Sequence, residues 1–430
     1  MLLVYTQKIT PRITYIFKHI CTRILGVEVR FISVIEELIS FEGAKLSYGK
    51  QPLGNELFIQ SYGLLTQQGF ESEHVVVKDW QDTKCFFAVS EKSSLPFDIF
   101  SAGFYLLSRY EEYLPHVKDA MGRFPAIESI GYKSGFLHQP VVDIWAYKFK
   151  VLLKQTFPDF VFPDKTLSVH SVVEASQPYA YKQRGVLRTL VGYTKDLLKF
   201  KLKRMVNRTA VLFGVRYDPF DTFEWIIQTA GKSDNMLTVF FMLGESLVFE
   251  ESLNTRRQKF KLLVKYIADY KQVGLVFSFD ALSDYERLKK EKKRLEEITN
   301  RDLNNSLNAQ YLVNLPDTYR YLVELEVAKD FTMVYEDTPG FRAGTCTPFL
   351  FYDLDYEIKT PLIVHPITMT TSAFKNKYAS DITKTVENLW TAVQAVNGTF
   401  SIAFTNRNFT PVPSNEIWRS IFSEKLHPHE

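Results

Sequence analysis

The chain has 430 residues, 46% of them hydrophobic and 23% charged, with a net charge of +3 at neutral pH. That profile belongs to a folded protein long enough for two or three domains, and it excludes a disordered chain. A charge so near balance also argues against a dedicated nucleic-acid binder.

The first expected element is a strand, Leu2 to Tyr5. A helix follows, with Thr10 placed to cap it, Pro11 at its first position and Gly26 at its end. Ile13, Phe17, Ile20 and Ile24 recur at helical spacing and predict its buried face. "PFDIFSAGFYLLSRYEEYL" predicts a second helix with Phe97, Phe100, Phe104 and Leu107 inward. Its Arg109, Glu111 and Glu112 read as a solvated or interdomain face, or as a carboxylate site without a recognisable partner. "FPDFVFPDK", with two prolines around an extended piece, separates an N-terminal α/β region (1–157) from a second region (166–430).

The second region alternates strands and helices. "LSVHSVVEAS" reads as a strand, and the next helix takes Asp218 as cap with Pro219 in its first turn. Met236 to Leu243 is a continuous apolar run, as in a strand buried on both faces. A helix from about Arg256 to Lys271 precedes the strand "VGLVFSF", and Ser283 with Glu286 predicts a capping box for the helix after it. Repeated βα units imply parallel strands covered by helices. Between Tyr181 and Arg208, nine basic residues face one acid, Asp196. They read as a solvated helix or flap, or as a contact for an acidic glycan, a lipid surface or nucleic acid.

The chemistry-bearing residues are sparse. Among the eight histidines there is no HExxH pair, and the chain has no Walker loop, GxGxxG or GxSxG. His170 and His365 fall in strand-like segments, and His427 and His429 in a terminus expected to be exposed and mobile. Cys21, Cys85 and Cys346 are too far apart for a disulfide framework or a zinc knuckle. No apolar run approaches the roughly 18 residues of a membrane span, and MLLVYTQK is too short for a signal peptide, so the expected compartment is the cytoplasm. Polar residues at expected strand ends are Glu174, Ser176, Asp280, Asp330 and Arg342. In "PGFRAGTCTPFLFYDL" the arginine is placed to clamp a carboxylate, from a ligand or from Asp330 or Glu174.

The ordered set QPYAYKQRG, YDPFDTFEW, VGLVFS, EKKRLEEIT, QYLVNLPDTYRYL, DFTMVYEDTPGFRAGTCTPFLFYDL and NGTFSIAFTNRNF resembles the polysaccharide-deacetylase-like (NodB-type) proteins of Bacteroidetes. The N-terminal PFDIFSAGFYLLSRYEEYL with GRF (Gly122–Phe124) resembles the uncharacterised domain that commonly precedes them. The resemblance implies a distorted (β/α) barrel over 166–430. It also implies a divalent metal, usually zinc, that polarises an N-acetyl group, with an aspartate as base and a histidine as acid.

Position by position, the ligands are replaced. The implied Asp-x-Asp is Glu174-Ala175-Ser176, and the implied His-Pro-Ser is Val276-Phe277-Ser278. Gln310 stands where a histidine would precede Tyr311, and Thr405-Asn406 where a strand would end in His-Asn. The cleft set carried forward is Glu174, Ser176, Ser278, Gln310, Asp330, Arg342, Thr405 and Asn406. The resulting expectation is a catalytically degenerate, metal-free relative that binds a saccharide, an acidic glycan or a protein partner through the old cleft. The alternative is an active carbohydrate N-deacetylase whose non-standard metal site uses Glu174 with His170 or His365. A third reading makes the second region a support for the first.

Overall fold

Thr10 fixes the entry to the first helix. In the computed structural model, which describes residues 1–231, 233–244 and 254–428, its hydroxyl accepts the Ile13 amide at 3.1 Å. Pro11 opens the helix Pro11–Phe17, which widens into a π-helical stretch, Lys18–Ile24, before Gly26 turns the chain at φ +71°. Strands β1 (Leu2–Tyr5), β2 (Val29–Ile32), β3 (Lys45–Gly49) and β4 (Leu57–Gln60) form a parallel sheet in the order β2-β1-β3-β4. A short hairpin of β5 (Lys78–Trp80) and β6 (Thr83–Cys85) stands apart. The helix Ile99–Leu107 is capped by Asp98, which accepts the Phe100 and Ser101 amides. It is buried on every side, which explains why its sequence is almost entirely apolar.

The second region is built on one nine-stranded sheet in the order β12-β13-β11-β10-β9-β8-β7-β15-β14. Its strands are β7 (Ser168–Ala175), β8 (Met236–Met242), β9 (Gln272–Phe277), β10 (Asn305–Asn308), β11 (Lys329–Asp330), β12 (Phe349–Asp353), β13 (Ile358–Val364), β14 (Met369–Thr370) and β15 (Thr399–Thr405). Every pairing is parallel except β12 with β13. The protein is thus mixed α/β with one large sheet.

The sheet curls strongly without closing. Val172, Phe240, Val276, Leu307, Phe331, Ile367 and Ala403, from across its width, meet in one apolar interior cluster. Their chain neighbours Val173, Phe241 and Phe277 point the other way, into the core beneath the outer helices. Burial on both faces is what the continuous apolar runs of β7 to β9 encode. No ladder joins β12 to β14 among the described residues, so the expected barrel is not a closed one. Instead the segment after β13 crosses the gap: the Ile367 amide donates to the Met333 carbonyl and the Thr368 amide to that of Ser401.

Three local expectations are corrected. The helix Phe223–Ala230 follows Thr222; Asp218 instead accepts the Phe220 amide in the turn before it and the Ala180, Tyr181 and Lys182 amides from across the chain. The helix Tyr285–Thr299 is capped by Asp284, one residue after the expected Ser283. His427 is fully buried, its Nε2 2.9 Å from the Ser171 hydroxyl, whereas His429 lies outside the described residues.

The two regions share one core. The loop "PGFRAGTCT", expected at a ligand cleft, instead threads the junction. Arg342 donates through Nε and Nη2 to Glu112 at 3.0 and 2.8 Å, not to Asp330 or Glu174. Arg109 donates to Glu112 and Glu111 at 2.8 and 2.9 Å. Asp143 accepts from the Thr345 and Thr347 hydroxyls at 2.6 Å each and from the Cys346 amide at 3.0 Å. Gly344, at φ +65°, lies so near Leu106 that an added Cβ would sit 2.7 Å from its Cδ1.

Burial alone would raise the Glu112 carboxyl, but Arg342 and Arg109 outweigh it and hold it below the usual carboxylate range. Its stabilising contribution is therefore full at neutral pH and fades as acid carries the pH down through that lowered value. Glu112→Ala leaves two buried guanidiniums short of a partner. It should cost about 3–5 kcal/mol in urea unfolding at neutral pH, and the difference from the parent should shrink on acidification.

Candidate functional site at the strand ends

The carboxyl ends of β7, β8, β9, β10 and β15 converge on one mouth, where parallel α/β sheets place their ligands. Glu174 stands at the end of β7, half-buried, directly beside Thr405 of β15 in the pairing register. Its carboxylate accepts the Ser176 hydroxyl at 2.6 Å and the Tyr311 hydroxyl at 3.4 Å. Burial pushes the Glu174 pKa up and the Glu336 carboxylate adds to the rise, while Ser176, Arg407 and Tyr311 pull it down. The floor is the apolar interior cluster, with Met242 and Phe279 packed half-buried against it. Phe279 also lines an adjoining hollow of about 640 Å³ together with Asp280, Asp284, Tyr285 and Arg287.

The backbone after β10 is strained here. Gln310 and Tyr311 are consecutive non-glycine residues at φ +57° and +53°. Such positions cost about 1–3 kcal/mol each and persist where the surroundings over-determine them. The surroundings in this case come from the N-terminal region. Arg123, from the GRF sequence, donates to the Gln310 carbonyl at 2.8 Å, forms an ion pair with Glu336, and is held by Asp119 at 2.7 Å. The Glu336 carbonyl in turn accepts the Thr370 hydroxyl at 2.6 Å and the Ser372 hydroxyl at 3.1 Å.

Of the residues expected in the cleft, Glu174, Ser176 and Thr405 meet at the mouth, and Gln310 is placed beside it by its carbonyl, which Arg123 holds. Thr405 is occupied there, its amide and hydroxyl bonded to the Asn408 side chain. The other four are turned to structural work. Ser278 bonds Glu291 on an outer helix through both its amide and its hydroxyl. Asp330 is fully buried against Ser306, Tyr319 and Thr332. Asn406 donates to the Gln177 and Phe220 carbonyls. Arg342 belongs to the junction. Phe277 does not line the mouth; it packs beneath the helices, and Val276 is the interior residue.

Among the described residues no three His, Cys, Asp or Glu side chains gather in a way that could hold an ion. His170 lies four residues before Glu174 on the same strand, about 13 Å away at the usual rise, with the Val172 layer between. It bonds the Thr238 hydroxyl and sits edge-on to Phe331, which stacks on His365. Burial lowers His170 to about 4 and His365 to about 3, so both are neutral packing groups.

Residues 2–158 match a family described as a family of unknown function (DUF7033). No curated protein matches the chain in sequence. Among solved structures, one from Mycobacterium smegmatis described as a polysaccharide deacetylase shares 13% identity over 62% of this chain and 86% of its own, at a TM-score of 0.38. Puue allantoinase shares 11% over 62% and 87%, at 0.35. The 4-alpha-glucanotransferase of Thermococcus litoralis shares 13% over 61% of this chain and 38% of its own, at 0.37. Likenesses this faint carry no functional argument, which rests on the residues of the mouth.

A carboxyl whose pKa is raised by folding contributes stability below its ordinary value of 4.5 and loses it as pH climbs through the raised one. Glu174→Gln should therefore gain on the parent in thermal melts as pH is taken from 4 toward 8; a constant difference would show that Glu174 is not held in this way.

Proposed function

We propose that the mouth binds an oligosaccharide without a metal ion and that the N-terminal region completes the binding site. One observation carries this reading: a half-buried carboxyl, Glu174, set among hydroxyls of Ser176 and Tyr311 over an apolar floor. Sugar rings offer hydroxyls to such an acceptor and apolar faces to residues like Phe279 and Met242. Charged acceptors make the stronger hydrogen bonds, about 1.5–3 kcal/mol each. Arg407, close enough to draw the Glu174 pKa down, supplies a cationic donor on the same rim, which suits a glycan carrying acidic groups. The chain is on this view a carbohydrate-binding protein of deacetylase-like design whose catalytic residues have been replaced.

The competing reading is an N-deacetylase with a metal held by Glu174 and a histidine. Glu174 and His170 are separated by the interior apolar layer, which disfavours it. Both readings meet in one experiment. Binding of acidic and N-acetylated oligosaccharides should survive chelation by EDTA, and Glu174→Gln or Tyr311→Phe should weaken it about ten-fold in calorimetric titration. Stoichiometric zinc in the purified protein, with acetate release lost in Glu174→Ala, would favour the enzyme instead.

A further inference from the structure

The basic stretch noted in the sequence folds as a helical hairpin turned inside out. Its arms are the helices Val186–Leu198 and Leu202–Leu212. Ordinarily an amphipathic helix turns its apolar stripe to the protein and its charges to water. In the first arm Val186, Leu190 and Leu197, at helical spacing, are all exposed, while Gly192 and Asp196 are the buried residues. In the second arm Leu202 and Val206 are exposed, while Arg208 and Val211 are buried.

The inner side is held by charge. Asp196 pairs with Arg208 at 2.7 Å, both side chains almost wholly buried, and Arg208 lies over the rings of Tyr181 and Tyr193. Gly192 is needed for this approach, because a Cβ there would sit 2.3 Å from Arg208 Nη1. The apolar side is thus fixed outward by a buried ion pair rather than left loose. At the turn between the arms Leu198 is 79% exposed and Phe200 88%, and Phe213 beyond the second arm is 82% exposed. Single exposed apolar residues are ordinary; a contiguous set of this kind marks a contact surface.

The charge on the hairpin identifies the contact. Of the ten Lys and Arg residues from Lys182 to Arg216, Lys199, Lys201, Lys203 and Arg204 stand exposed around the turn, and the one acid of the stretch, Asp196, is shared by Arg208 and Arg204. Lys199 and Lys201 flank Phe200 at the turn. An apolar face with exposed lysines at its turn suits a surface that is oily within and anionic at its edge. A bilayer bearing acidic headgroups has that composition. The arms are 13 and 11 residues long, so they would lie in the interface rather than cross it. We infer that this hairpin docks the protein on anionic membrane surfaces, with Leu198 and Phe200 entering the acyl boundary and the lysines pairing with headgroups. The hairpin leaves the chain just after β7 and is anchored by Asp218, so docking would set the mouth beside the bilayer.

Vesicle flotation tests this. The full chain should float with phosphatidylcholine vesicles that contain phosphatidylglycerol and remain in solution with phosphatidylcholine alone. Leu198→Asp with Phe200→Asp should abolish flotation, and each charge removed at Lys199, Lys201 or Lys203 should weaken it about five-fold. Val161→Asp, at an equally exposed apolar position outside the hairpin, should float like the parent. Because the substituted side chains are exposed, circular-dichroism melts should not change. Absence of flotation on the acidic vesicles, or undiminished flotation of the double variant, would overturn the inference. So would self-association in ultracentrifugation that the double variant abolishes without any vesicle binding; that result would assign the hairpin to a second copy of the chain.

Discussion

A buried carboxylate between two guanidiniums organises this molecule. Glu112 comes from the N-terminal region and Arg342 from the large-sheet region, and neither has access to water that could replace the other. Desolvating three charges is costly, and their attraction repays that cost only in one arrangement. The network therefore selects the relative placement of the two regions more than it adds to their stability. Asp143 does the same nearby, gathering the Thr345 and Thr347 hydroxyls and the Cys346 amide onto one side chain. Around these polar ties the apolar core runs without a break from one region into the other.

The site depends on that placement. Arg123 reaches Glu336 and the Gln310 carbonyl only because its loop is held over the strand ends. Gln310 and Tyr311 keep their left-handed backbone under that hold, and Tyr311 in turn presents its hydroxyl to Glu174. A chain of contacts thus runs from Arg123 to the half-buried Glu174 carboxyl. The N-terminal region touches the strand ends directly, through Arg123.

Much of the local structure was legible in the sequence because it is governed by local physics. Thr10 and Pro11 start a helix as expected, and the apolar runs at Met236 and Val276 are strands buried on both faces. The longer-range features were not legible. "PGFRAGTCT" has the glycines and arginine of a ligand loop, and nothing along the chain pairs Arg342 with a residue 230 positions earlier. Alternation from the interior Val276 would send Ser278 to the opening, but Ser278 lies just past the end of β9, where its amide and hydroxyl are drawn to Glu291 instead. Arg123 and Glu336 were missed because no spacing links them; the GRF sequence was the only trace. The inverted hairpin was half visible. Its charge was evident, but its apolar stripe reads in sequence as an ordinary buried face until the structure shows which side Arg208 occupies.

The central claim is that the mouth is a polar sugar site made by both regions, with no ion at its centre. A crystal structure of the full chain, grown with an acidic oligosaccharide and zinc together and recorded at the zinc absorption edge, tests it most directly. The account predicts sugar density in contact with Glu174 and Arg407 and no anomalous signal within coordination distance of that carboxylate. An ion bound there by Glu174 and two further protein ligands would contradict it.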